Sequence, residues 1–193
     1  MRKDFYIFRH GETEYNRLQR WQGQGVDLDL NATGLLQAEN LANKLQDKNL
    51  QVVYSSPLKR AVQTAEKVAE RCGIEIRILA DLTEGSVGDC EGELREKVAE
   101  KYPDIWNIWY GDNEIMDIRW PNGESKQEIQ DRMIKAFEQM LKSDKQVIGV
   151  ASHGAAIRYF LLKFGYGPHR MTNTALFHLI YQDGKWDLAE ANL

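Results

Sequence analysis

This sequence predicts an α/β fold of three layers, with helices on both faces of a mostly parallel sheet and a small helical insertion over one edge. Three observations carry that expectation. Apolar, strand-like runs alternate with amphipathic helical segments for most of the length. The runs Phe5-Tyr6-Ile7-Phe8 and Val147-Ile148-Gly149-Val150-Ala151 are apolar throughout, as strands covered on both faces are. The length, 193 residues, suits one domain with a substantial core and leaves little room for two, so 1–193 reads as a single domain.

The elements follow in order. The opening run is a strand that stops at Arg9-His10-Gly11. Leu35, Ala38, Leu41, Ala42 and Leu45 recur at helical spacing, which predicts an amphipathic helix over 32–46 capped by Asn31 or Thr33. A second strand is expected at 51–54. Ser56 then has the character of an N-cap and Pro57 of a first helical residue. Leu58, Ala61, Val62, Ala65, Val68 and Ala69 form the buried stripe of that helix, and Gly73 stops it. Residues 74–79 alternate apolar with polar, as a strand at or near a sheet edge does. Over 85–123 the alternation breaks. This stretch holds Gly92, Pro103, Gly111, Pro121 and most of the tryptophans, and reads as an insertion of short helices. Ser125 with Glu128 matches a capping box, opening a helix whose stripe is Ile129, Met133, Ala136, Phe137, Met140 and Leu141. Strand 147–151 and helix 155–163 come next, stopped by Gly165. Segments 175–181 and 185–191 form a hairpin turned at Asp183-Gly184. Its outer edge could pair with a second copy, so a homodimer is compatible with the sequence, although nothing in it sets the oligomeric state.

Bulk properties exclude several classes. Hydrophobic and charged fractions of 42% and 28% are those of an ordinary soluble protein. A net charge of −4 gives no whole-molecule attraction to nucleic acid or anionic membrane. Any anion site must therefore be a local cluster of cations. Met1-Arg2-Lys3-Asp4 leads straight into a strand without a secretory leader, and no stretch approaches the roughly 20 apolar residues of a membrane span. Cys72 and Cys90 sit in neither CxxC nor zinc spacing. A reduced, cytoplasmic protein is expected. Cofactor and metal motifs are missing too: Gly23-Gln24-Gly25 lacks a third glycine and follows no strand, and no GxxxxGK[ST], HExxH or GxSxG occurs. No cofactor and no metal are expected.

Chemistry gathers where strands end in α/β proteins. One strand delivers Arg9-His10-Gly11, a second delivers Ser152-His153-Gly154, and a third ends in Ser55-Ser56-Pro57-Leu58-Lys59-Arg60. Two arginines and two histidines from three strand ends suggest one anion site, and phosphate suits that set best. Arginine presents a planar fork matched to phosphate oxygens and stays charged. Arg60 falls in the first turn of a helix, where backbone N–H groups add to the attraction. The glycine after each histidine leaves room for backbone to approach a ligand. His10 and His153 could serve as nucleophile and stabilising donor. Neighbouring arginines keep an imidazole neutral and reactive, and its second ring nitrogen needs an acceptor such as a backbone carbonyl. His178, mid-strand, and His169, in a loop after Pro168, read as structural.

These residues resemble the signature of the histidine phosphatase superfamily, whose best-known branch is the cofactor-dependent phosphoglycerate mutases. The likeness begins at Arg9-His10-Gly11-Glu12-Thr13 with Asn16 and runs through Gln22-Gly23, Asp27, Leu30, Gly34 and Gln37-Ala38. It resumes at Ser55-Ser56-Pro57-Leu58-Lys59-Arg60-Ala61, at Leu82-Thr83-Glu84 with Gly88 and Glu91-Gly92, and at Pro121-Asn122-Gly123-Glu124-Ser125 and Ser152-His153-Gly154. Tyr15 departs from the tryptophan often found there. The resemblance implies that His10 is phosphorylated during turnover. Arg9, Arg60 and His153 would hold the transferring group, with Asn16, Gln22 and the backbone at Gly23 as further donors. Glu84 would protonate the departing oxygen and later activate water. The insertion would then lie over the active-site edge, and the implied partner is a small phosphorylated substrate. A metal-independent phosphomonoesterase is the first reading, since mutases of this family usually carry longer insertions. A phosphoglycerate mutase is the second, and a dead phospho-ligand-binding module the third. Trp106, Trp109, Tyr110, Trp120 and Tyr102 could wall the leaving-group pocket or simply form the core of the insertion. Arg20, Trp21 and Arg158 are rim candidates, with Arg158 one turn along its helix and pointing away.

Overall fold

The opening apolar run becomes β1 (Arg2–Arg9), followed by the one-turn helix α1 (Glu14–Arg17), α2 (Ala32–Leu45), β2 (Val52–Ser55), α3 (Lys59–Cys72) and β3 (Ile76–Ile78). The 85–123 stretch contains α4 (Arg95–Lys101) and α5 (Pro103–Gly111). Then come α6 (Lys126–Leu141), β4 (Val147–Ser152), α7 (Gly154–Leu162), β5 (Leu176–Gln182) and β6 (Lys185–Ala191). The computed structural model describes residues 2–111, 114–167 and 171–191.

The strands form one mixed sheet of order β3-β2-β4-β1-β5-β6. β3, β2, β4 and β1 run parallel, and the hairpin is added antiparallel to β1. Side chains alternate across the pleat. Phe5, Ile7, Val52, Tyr54, Ile148 and Val150 face Ile129, Met133, Phe137, Ile157 and Phe160 of α6 and α7. Tyr6, Phe8, Val53 and Ala151 face Leu41, Ala42, Leu45, Ala65 and Val68 of α2 and α3. Each fully buried aliphatic or aromatic side chain of this kind contributes about 1.5–3 kcal/mol. The edge position expected for the third strand holds. Among the described residues no helix is long and apolar enough to cross a membrane. Both cysteines are free thiols, and burial pushes that of Cys90 up to about 11.

Local signals explain most boundaries. Asn31 caps α2 by accepting from Gly34 N at 2.8 Å. Ser125 and Glu128 form the reciprocal box at the start of α6. Gly73 ends α3 at φ 66°. Asp183 and Gly184 turn the hairpin at φ 51° and 84°, the left-handed pair a two-residue turn requires.

Several expectations are corrected. Ser56 and Pro57 do not open a helix: α3 starts at Lys59 after Leu58, which offers no side-chain cap. Ser56 is fully buried, and its hydroxyl, besides accepting from Leu58 N at 3.2 Å, meets His153. Leu35 is 44% exposed, because Gly34 occupies the inward position of that turn. Val62 and Leu141 are only half-buried; Arg60 and Thr64 take the inner face of α3 instead. Gly11 makes room for protein rather than ligand. A Cβ there would lie 2.5 Å from the carbonyl oxygen of Gly34, and one on Gly34 would lie 2.1 Å from that of Glu12. The two glycines let the first turn of α2 rest on the loop after His10. Glu12 N donates to Gln37 Oε1, and Asn31 Nδ2 to Glu12 Oε1, each at 2.8 Å, and these bonds tie the contact.

Candidate active site

Parallel pairing sends the ends of β1, β2 and β4 to one edge. Arg9 lies beside Ser152, and Ser55 beside Ala151, so His10, Ser56 and His153 emerge together. The two imidazoles are 5.1 Å apart, centroid to centroid. A cavity of about 460 Å³ opens at this edge. Arg9, His10, Asn16, Gln22, Gly23, Arg60 and Glu84 all line it, so seven of the eight expected site residues meet on its wall. His153, fully buried, lies directly behind, with Gly154 at the surface of the wall.

His10 is 2% exposed. Its Nδ1 donates to the carbonyl oxygen of Gly11 at 2.7 Å. Burial, followed by Arg9 and Arg60, holds this imidazole well below its ordinary 6.5, so it is neutral. The same forces act on His153: burial first, then Arg60 and His10. His153 Nε2 is 2.7 Å from Ser56 Oγ, and its Nδ1 is buried without a protein partner.

The arginines are held by backbone. Arg9 donates from Nη1 to Met171 O at 2.7 Å; burial pushes its guanidinium down to about 10, leaving it charged at neutral pH. Arg60, second residue of α3, donates to the carbonyls of Val26 at 3.0 Å and Gly23 at 2.8 Å. It thereby fixes the loop whose turn Gly23 makes at φ 55°. Glu91 closes the other side of that loop, its carboxylate accepting from Gln24 N at 3.0 Å and Gly25 N at 2.7 Å. Arg9 Nε and Arg60 Nε are buried with no protein acceptor.

Glu84 comes from the loop after β3. Its carboxylate accepts from Gly85 N at 2.9 Å and from Ala155 N and Ala156 N at 3.1 Å each, at the start of α7. A Cβ on Gly154 would sit 3.6 Å from Arg9 Nε and 3.8 Å from Glu84 Oε2, ordinary contact distances that place this residue between the two site groups. Asn16 Oδ1 accepts from Thr13 N at 3.2 Å and from Asn173 Nδ2 at 3.1 Å.

Some wall residues were not legible in the sequence. Met171, Thr172 and Asn173 close one side, and Asn173 Nδ2 also donates to His10 O at 3.2 Å. Their segment carries no motif; its position just before β5, the neighbour of β1, is the only hint. Arg95 lines the cavity as well. Arg158 does not point away. Arg158 stands one turn on from Gly154, as expected, but that spacing puts it on the same face of α7 as Gly154, which lines the cavity. It lines the cavity beside Arg20, over the Tyr159 ring at 5.9 Å, and donates to Tyr110 O at 3.4 Å. The aromatic residues divide. Trp21, Trp109, Tyr110 and Tyr159 reach the cavity, whereas Tyr102, Trp106 and Trp120 do not. Trp120 is fully buried, edge-on to Trp21 at 4.6 Å. His178 is structural, hydrogen-bonded to Asp4 at 2.8 Å and stacked on Tyr6. His169 lies outside the described residues.

Comparison with known proteins places this geometry. The family model of the histidine phosphatase superfamily (branch 1) matches residues 5–193. The chain belongs to that superfamily. Among its relatives, the uncharacterized phosphatase PhoE of Bacillus subtilis is 33% identical over 97% of this chain and 93% of its own length. The metal-independent phosphoserine phosphatase of Arabidopsis thaliana is 34% identical over 95% of this chain and 78% of its own. The probable phosphoglycerate mutase GpmB of Serratia proteamaculans is 33% identical over 94% and 86%. The solved structure of mycobacterial glucosyl-3-phosphoglycerate phosphatase Rv2419c with VO3 superposes at a TM-score of 0.88, with 25% identity over 98% of this chain and 99% of that one. This histidine phosphatase thus shares its α/β sandwich with enzymes named for phosphate ester hydrolysis.

Proposed function

We propose that this protein is a metal-independent phosphomonoesterase that hydrolyses a small phosphorylated metabolite through a phosphohistidine. The observation that carries this reading is the His10–Gly11 bond. It puts the proton on Nδ1 and leaves the Nε2 lone pair as nucleophile in a pocket that keeps the ring neutral. In the first step Nε2 attacks phosphorus, the ester P–O bond breaks, and Glu84 gives its proton to the leaving oxygen. In the second, Glu84 takes a proton from water, the water oxygen attacks phosphorus, the P–N bond breaks and phosphate leaves. Catalysis of this transfer is mostly positioning and charge neutralisation. Arg9 Nε, Arg60 Nε and His153 Nδ1, buried without protein partners, are the donors suited to the phosphoryl oxygens, with Asn16, Gln22 and the Gly23 loop beside them. Neutralisation is assigned to Arg9 and Arg60, whose Nε atoms are buried without protein partners.

For the leaving group, Arg20, Arg95 and Arg158 with Trp109 and Tyr110 form the remaining wall. Cations there suit an ester that carries a second negative group, as phosphoserine does. In this reading the 85–123 stretch selects the substrate and the protein acts in the cytoplasm. Transfer to a second hydroxyl, the mutase reading, differs only in the acceptor. The test is a panel of phosphorylated metabolites, including phosphoserine and 3-phosphoglycerate with and without a bisphosphate primer, run in chelator. Release of inorganic phosphate with retained activity is expected. Primer-dependent isomerisation without phosphate release would make it a mutase, and loss of turnover in chelator would end the metal-independent reading.

A further inference from the structure

Glu84 reaches the cavity from a loop, yet the backbone behind it is held as firmly as a strand. Four successive carbonyls each accept from a side chain. Asp81 O and Thr83 O take the Nη1 protons of Arg132 at 3.1 and 2.6 Å. Leu82 O takes Ser152 Oγ at 2.8 Å. Glu84 O takes Arg132 Nη2 and Gln24 Nε2, each at 2.8 Å. Arg132 stands on α6 and does not line the cavity. Its remaining donors go to Glu124, Nε at 2.9 Å and Nη2 at 3.1 Å. An arginine has five N–H donors in a fixed fork, and here each has an acceptor. Glu124 Oε2 also accepts from Gln24 Nε2 and Ser86 N at 2.8 Å each.

We infer that Arg132, oriented by Glu124 and joined by Gln24, is a positioning residue that sets Glu84 at proton-transfer distance from the leaving oxygen. The inference rests on the acid–base role of Glu84 proposed above. A side chain that grips the backbone on both sides of the acid, from outside the cavity, makes no direct contact with a phosphate bound there. Its effect falls on the alignment of one proton donor. Proton transfer requires about 2.6–3.2 Å between heavy atoms, and a misplacement near 1 Å costs about 100-fold in rate. Gln24 extends the device: it leaves the phosphate-side loop fixed by Arg60 and Glu91 and binds the carbonyl of Glu84, so the two halves of the site share one reference point. Lysine at 132 would keep the charge but could not reproduce the fork.

The test is the rate of phosphoenzyme formation by rapid quench, on an alkyl phosphate and on p-nitrophenyl phosphate, whose leaving group needs no proton. Glu84→Gln calibrates it: the alkyl rate should fall about 100-fold and the aryl rate less than about 10-fold. Arg132→Lys should slow the alkyl ester about 10- to 100-fold and the aryl ester less than about 5-fold, with KM for both within about 2-fold. Gln24→Leu should act in the same direction, about 3- to 10-fold, and decides the matter if Arg132→Lys does not fold. Arg132→Lys combined with Glu84→Gln should lose no more on the alkyl ester than Glu84→Gln alone. Equal loss on both esters in Glu84→Gln would remove the acid role itself. Selectivity in Glu84→Gln, with equal loss or no loss on both esters in Arg132→Lys and Gln24→Leu, would overturn the positioning role while leaving the acid in place.

Discussion

The Nδ1 of His10 donates to the carbonyl oxygen of its own neighbour, Gly11, at 2.7 Å. A carbonyl can only accept, so that nitrogen carries the ring proton and Nε2 keeps its lone pair. His153 is arranged the other way round: Nε2 meets the hydroxyl of Ser56, and Nδ1 is the unpaired atom. Two histidines from equivalent strand ends thereby turn different ring nitrogens to their protein partners.

His10→Ala should abolish both turnover and covalent labelling by a radiolabelled phosphate donor. His153→Ala should still accept the label, at a reduced rate. Mapping of the quenched, digested adduct checks this, and the bond should be acid-labile and alkali-stable. Labelling that survives His10→Ala and disappears in His153→Ala would exchange the two assignments.

Ser56→Ala removes the partner of a fully buried imidazole. A buried polar group left unsatisfied costs about 1–3 kcal/mol, so the urea midpoint should fall correspondingly. The turnover number should fall with it, because the orientation of His153 toward the phosphoryl group is lost, while KM changes little. An unchanged midpoint together with unchanged turnover would show that the hydroxyl serves only its bond to Leu58 N.

Gly11→Ala and Gly34→Ala each force a methyl into opposing backbone. Overpacking of this kind costs about 1–3 kcal/mol or more, and backbone offers less relief than a side chain. Both variants should be less stable in thermal unfolding, and because the loop after His10 must move, both should also lose activity. Gly154→Ala meets nothing closer than 3.6 Å, so it should fold normally and crowd only the site between Arg9 and Glu84.

The neutral histidines make stability depend on pH with a definite sign. His10 and His153 titrate well below 6.5 when folded and near 6.5 when unfolded. Below pH 6.5 the unfolded chain therefore binds protons that the folded chain refuses, so stability present above that pH is lost as pH falls. Each histidine removes about 1.4 kcal/mol per pH unit until its folded value is reached. In His10→Asn one of these contributions vanishes. Urea unfolding at pH 7.5, 6.5, 5.5 and 4.5 should show the wild type losing more stability than the variant on the acid side. A constant difference would contradict the neutral, buried state of His10.

Much of this was legible because the signals are local. The capping box at Ser125, the stop at Gly73 and the Asp183-Gly184 turn depend on backbone geometry that residue type dictates within a few positions. The gathering of Arg9, His10, Arg60 and His153 followed from one further rule, that parallel strands end on the same side. The departures are non-local. Ser56 looked like a cap because its partner, His153, lies 97 residues away in sequence. Gly11 looked like room for a ligand because Gly34 cannot be seen from it.

By itself the sequence determined which side chains of phosphate-suited chemistry stand at the strand ends, and the order of strands and helices that carries them, since both depend on residue chemistry and short-range periodicity. The tertiary structure alone decided which nitrogen of each imidazole is free, that Arg158 shares the cavity face, that Asn173 closes the wall, and that Arg132 grips the loop of Glu84. These are contacts between segments distant in the chain. Their distances are set by how the layers pack, which no run of neighbouring residues encodes.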